Sequence, residues 1–150
     1  MTEPIKTRFL IADDDTDDSG MFCEALYHVA PKKMQCLRVE NGQELFEFLS
    51  HEGRSMPDLI FLDINMPIMN GWQCLKKLKD DSSWKQIPTI MYSTSSSRRD
   101  IDLAYELGAM LFVTKPEDID ELRGILEVFA TSSEGSLVNE LHKFSSVKVA

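Results

Sequence analysis

The stretch DLIFLD, residues 58–63, sets four apolar residues without interruption between two aspartates. A strand with one face in water would alternate apolar and polar residues. The unbroken run Leu59–Leu62 therefore suits a strand buried on both faces, as in a parallel sheet covered by helices. Similar short runs stand on either side of it: RFLIA at 8–12, MQCLRVE at 34–40, PTIMYS at 88–93 and MLFVT at 110–114. Between them the apolar residues take helical spacing, as in Phe22, Ala25, Leu26 and Val29, in Leu45, Phe48 and Leu49, in Leu75 and Leu78, and in Ile101, Ala104 and Tyr105. A fifth helix follows the last strand, with Ile119, Leu122, Ile125, Leu126 and Phe129 on one face. Strict alternation of strand and helix implies right-handed crossovers and an α/β fold of three layers.

Turn and cap residues place the boundaries. NGQE at 41–44 and NGWQ at 70–73 start helices, SRRD at 97–100 has the form of a capping box, and Gly108 stands where a helix stops. TSSEGS at 131–136 reads as a linker after the fifth helix. It leads to LVNELHKF, where Leu137, Leu141 and Phe144 could form one short amphipathic face. The expected organisation is one domain over residues 1–130 and a C-terminal tail over 131–150, because some twenty residues beyond the fifth helix are too few for another core.

Sixteen basic and twenty-five acidic residues among 150 give a formal charge of -9, with no basic block for a phosphate backbone to dock on. Nucleic-acid binding is not expected. The N-terminus lacks the apolar core of a signal peptide and no run approaches a membrane span, so a cytoplasmic protein with no membrane partner is expected. Cys23, Cys36 and Cys74 are odd in number and widely spaced, which suits buried reduced thiols better than a disulfide framework or a zinc site.

The first strand runs into ADDDTDD, residues 12–18, with five aspartates in six positions. Carboxylates so crowded raise one another's pKa unless a cation or a helix terminus offsets them. An EF-hand loop would use Asp13, Asp15, Asp17 and Glu24, but its sixth position needs glycine and here is Asp18, and the preceding residues read as a strand rather than a helix. A haloacid-dehalogenase pattern fails at Asp17, where threonine or valine is required. A third reading draws on the whole chain. In an open parallel sheet of order 2-1-3-4-5, ligands bind beyond the carboxyl ends of the strands where the order reverses, and there Asp13, Asp14 and Asp63 converge. Such oxygen ligands suit Mg²⁺. Ser93 and Lys115 end the strands on the far side of Asp63, a hydroxyl and an ammonium placed as phosphoryl transfer requires, with Asp63 as covalent nucleophile. Asp15, Asp17 and Asp18 read as acidic residues favoured by the start of a helix.

The segments LIADD (10–14), LDINMPIMNG (62–71), IMYSTSS (90–96) and LFVTKP (111–116) together resemble the receiver domain of two-component response regulators, over about residues 7–130. The likeness is to single-domain members of the chemotaxis-regulator or phytochrome-regulator type. The resemblance implies a flavodoxin-like (βα)5 fold with Asp13 and Asp14 as the acidic pair for Mg²⁺, Asp63 as phosphoacceptor and the backbone carbonyl of Asn65 as a further metal ligand. It implies that Ser93 bonds the phosphoryl group, that Lys115 pairs with a phosphoryl oxygen across a cis bond to Pro116, and that Phe112 is an aromatic switch. It further implies a phosphoryl group taken from a sensor histidine kinase or histidine phosphotransfer protein, no enzymatic activity beyond self-phosphorylation and self-dephosphorylation, and output through a face of the fourth helix, fifth strand and fifth helix toward an unknown downstream protein. A homodimer is compatible with the sequence. The rival function is a receiver-like interaction module independent of phosphorylation, and an intact acceptor set argues against it, since idle carboxylates would cost stability. A phosphatase acting on outside substrates would need a second catalytic base, and the sequence offers none.

Overall fold

The computed structural model describes residues 7–30, 34–51, 53, 55–132 and 135–150. The elements run β1 (Thr7–Ala12), α1 (Thr16–Val29), β2 (Met34–Val39), α2 (Gly42–Ser50), β3 (Leu59–Leu62), α3 (Gly71–Asp80), β4 (Thr89–Ser93), α4 (Arg98–Glu106), β5 (Leu111–Thr114), α5 (Ile119–Thr131), α6 (Leu137–Leu141) and β6 (Val147–Lys148). The sheet order is β2-β1-β3-β4-β5-β6, parallel from β2 to β5. This is the flavodoxin-like order expected, extended by one strand. β6 pairs antiparallel with β5, Val147 opposite Val113 and Lys148 opposite Phe112. A two-residue strand carries no readable periodicity, which is why the sequence did not announce it.

Alternation along the strands divides the core into two layers. Phe9, Ile11, Phe61, Tyr92 and Val113 meet α1 and α5 through Phe22, Leu26, Leu122, Ile125 and Phe129. Leu10, Ile60, Leu62, Met91 and Phe112 meet the other helices through Leu45, Leu75, Leu78 and Ile101. β3 contributes to both layers, so its side chains must be apolar at every position.

Caps hold the helix starts as the sequence indicated. Asn41 accepts from the amide of Glu44, and Asn70 and Gln73 form a reciprocal capping box. Ser97 caps α4 through the Asp100 amide, but the carboxylate of Asp100 bonds the Ser95 hydroxyl at 2.6 Å in place of the reciprocal contact. Gly108, at φ 102°, turns the chain after α4 in a conformation that glycine adopts without steric cost.

Two expectations are corrected. Cys23 and Cys36 form a disulfide, with their Cα atoms 5.5 Å apart, and Cys74 alone is a free, buried thiol. Packing of α1 against the edge strand β2 brings the pair together, and a single cross-link of this kind has no spacing signature. The peptide bond before Pro116 is trans, since the described residues contain no cis bond. The trans preference of X–Pro bonds is met while Lys115 still reaches its partners. Closing a loop across 13 residues should stabilise the fold by about 2 kcal/mol. Reduction, or Cys36→Ser, is therefore expected to lower Tm by roughly 5 °C in differential scanning calorimetry.

Candidate functional site

At the carboxyl end of the sheet, β1 delivers Asp13 and β3 delivers Asp63 side by side, because the Asp63 amide donates to the carbonyl of Ala12 (2.9 Å). Carboxylate oxygens of Asp13, Asp14 and Asp63 lie within 4.8 Å of one another. Asp13 is 1% exposed and Asp63 also buried, whereas Asp14 faces solvent. Asp13 Oδ1 accepts from the Asp15 amide (2.9 Å), and Asp63 Oδ1 from the Ile64 amide (2.9 Å). Asn65 is exposed two residues beyond Asp63.

β4 and β5 supply the other side of the site. The Lys115 amide donates to the carbonyl of Ser93 (2.7 Å), which locks the two strand ends together. Ser93 is fully buried, and its hydroxyl oxygen accepts from the Ser95 amide (3.2 Å), leaving the hydroxyl proton available to an acceptor. The Lys115 ammonium lies 2.7 Å from Asp13 Oδ2, 2.9 Å from Asp18 Oδ2 and 3.9 Å from Asp63 Oδ2. Burial alone would lower its pKa, but the three carboxylates outweigh burial and raise it. Phe112 is fully buried between the sheet and α4, and its amide donates to the Tyr105 hydroxyl (3.3 Å).

Asp18 is the residue that sequence reasoning missed. Asp15 caps α1 and Asp17 stands exposed in its first turn, as expected of acidic residues at a helix start, but Asp18 turns inward to the ammonium. Its position four residues before buried Phe22 marks it as belonging to the inner face of α1.

Gly71 fixes the loop after β3. A Cβ on it would lie 2.2 Å from the Asp63 carbonyl oxygen and 2.7 Å from the Ile64 Cα, and its amide donates to the Ile64 carbonyl (2.7 Å). Within that loop Ile68 is 72% exposed and sits at φ 71°, a strained conformation for a β-branched side chain.

Burial pushes the Asp63 carboxyl up to about 7, with the charge of Asp13 adding to the shift and that of Lys115 opposing it. A folded-state pKa above the unfolded value means that the folded protein binds the extra proton, so stability falls as pH rises from about 4 to about 7. Asp63→Asn removes this penalty. The variant's Tm, measured without divalent cations, should exceed that of the wild type above about pH 7, and the gain should vanish near pH 4.

The cluster fits a divalent cation. Asp13 Oδ2 is buried and has a charged neighbour in Lys115 but no well-directed hydrogen bond, and the surrounding donors are hard oxygens. Among known proteins, the response regulator receiver domain model matches residues 9–127. The chain belongs to the receiver domain family. Receiver domains are the phosphoacceptors of two-component systems, where they interact with histidine kinases and phosphotransfer proteins, and the function of this chain is two-component phosphoacceptor signalling. The two-component response regulator ARR5 of Arabidopsis thaliana is 26% identical, with 92% of this chain and 79% of that protein covered. The phosphorylated cyanobacterial phytochrome response regulator RcpA is 28% identical at a TM-score of 0.75, covering 83% of this chain and 91% of that one. The Mn²⁺-bound form of response regulator Rcp1 shares the fold at 24% identity and a TM-score of 0.72, over 96% of this chain and 99% of that one. Other relatives are longer, and this receiver spans 40% and 15% of two of them. Among the described residues no helix is long and apolar enough to cross a membrane.

Proposed function

We propose that Asp63 is the phosphoacceptor and that Asp13, Asp14, Asp63 and the backbone carbonyl of Asn65 hold Mg²⁺. The observation that supports this best is the meeting of three carboxylates, a buried hydroxyl and a partly buried ammonium at one end of the sheet. When bound, the cation would neutralise charge on the phosphoryl oxygens. A carboxylate oxygen of Asp63 attacks phosphorus as the donor's P–N bond to histidine breaks, and the electron pair leaves with the imidazole. Lys115 and Ser93 receive the phosphoryl oxygens, the first as a charge and the second as a hydrogen-bond donor, and this is positioning and charge stabilisation rather than acid–base work. Water later cleaves the acyl phosphate, which limits the signal to self-catalysed gain and loss.

In this reading residues 1–130 are the receiver and 131–150 a tail. The donor is a sensor histidine kinase or histidine phosphotransfer protein, and the setting is cytoplasmic. Ser93 drawn toward the phosphoryl group would pull the loop before α4, and buried Phe112 would register the shift through the Tyr105 hydroxyl its amide holds. Incubation with acetyl phosphate should add one phosphoryl mass only when Mg²⁺ is present, and Asp63→Asn should remain unmodified. An adduct that forms equally without Mg²⁺, or on the variant, would refute the assignment.

A further inference from the structure

We propose that β6 (Val147–Lys148), with the residues that flank it, is an intramolecular edge strand covering the interaction edge of β5, and that phosphorylation of Asp63 releases it. The proposal rests on the phosphoacceptor reading of Asp63. Without the tail, the Thr114 amide would point from the outer edge of β5 into water and the Phe112 amide would keep only the Tyr105 hydroxyl of α4, leaving an edge open to strand addition. Both are occupied here. The Thr114 amide donates to the Ser146 carbonyl (2.8 Å), and the Phe112 amide donates to the Tyr105 hydroxyl, which in turn donates to the Lys148 carbonyl. Tyr105 thus stands in as a rung between the two strands. Arg98, in the first turn of α4, donates to the Val149 carbonyl (3.0 Å), and Ser146 donates to Glu121 of α5 (2.7 Å). Val147 and Leu141 are buried, so the segment packs as well as bonds.

A continuous chain of hydrogen bonds joins this strand to the site. Ser93 Oγ accepts from the Ser95 amide, the Ser95 carbonyl accepts from the Thr114 hydroxyl (2.9 Å), and the Thr114 amide holds Ser146. When the Ser93 hydroxyl turns to a phosphoryl oxygen, the loop carrying Ser95 and the start of α4 must move. Thr114 and Arg98 are the residues through which that movement reaches the tail. A strand of two residues held by a few bonds has low local stability, which makes it a suitable element to release.

The test is amide hydrogen exchange by NMR on the full chain, before and after Mg²⁺ and acetyl phosphate, with intact mass read from the same samples. With the adduct present, exchange at Thr114 and Phe112 should accelerate by roughly tenfold or more while β3 amides keep their protection. Tyr105→Phe should accelerate the same two amides without phosphorylation. An adduct with unchanged exchange at both amides overturns the release, and unchanged exchange in Tyr105→Phe overturns the clamp itself. No adduct overturns the phosphoacceptor reading and the release together. Protection that disappears on dilution, as a dimer dissociates, overturns the intramolecular placement.

Discussion

Lys115→Met is expected to lower stability by about 3 kcal/mol, the usual consequence of removing one member of a buried ion pair and leaving the other charged. Asp13 is the residue left behind. It is 1% exposed, and the ammonium 2.7 Å away is the charge that compensates it. Asp18 and Asp63 lose the same partner, so the loss exceeds that of a surface pair. Methionine keeps most of the aliphatic stem, which separates the electrostatic loss from a packing defect. The shift in urea midpoint gives the magnitude. A second substitution, Asp13→Asn, should restore much of the stability, because the two changes act on one interaction and cannot be additive. A loss below about 1 kcal/mol would mean that water compensates Asp13 in place of Lys115.

Gly71→Ala is expected to be comparably disruptive for a different reason. The added methyl would meet backbone, at 2.2 Å from the Asp63 carbonyl oxygen and 2.9 Å from its carbonyl carbon, so no side-chain rotation can relieve it. Either α3 moves away from β3 or the Asp63 backbone is displaced. Overpacking of this kind costs about 1–3 kcal/mol, and the displaced aspartate should also slow phosphorylation by acetyl phosphate by about tenfold or more. Alanine tolerated in both stability and rate would show that the loop from Ile64 to Asn70 is looser than the close contact indicates.

The parts of the molecule that were legible in the sequence are those with a period or a fixed address. Leu59–Leu62 announced a strand buried on both faces, and aspartates at the ends of β1 and β3 meet as soon as the strand order is known. Ser93 and Lys115 followed from the same logic, since adjacent parallel strands end at the same level. What escaped notice depends on tertiary packing. Cys23 and Cys36 pair because a helix lies against an edge strand, and Asp18 reaches Lys115 because the first turn of α1 leans over the site. β6 was hidden in a tail that showed only helical spacing, for its pairing depends on the edge of β5 and on Tyr105. The Lys115–Pro116 bond was expected to be cis by resemblance alone, and the chain meets the same contacts with a trans bond.

Asp63 is the residue expected to carry the phosphoryl group. Borohydride reduction converts an aspartyl phosphate to homoserine at the modified position. The full chain, treated with acetyl phosphate and Mg²⁺, reduced and mapped by tandem mass spectrometry, should contain homoserine at position 63 and keep aspartate at positions 13, 14 and 18. Homoserine at another aspartate, or none in a sample whose intact mass shows the phosphoryl adduct, would contradict it.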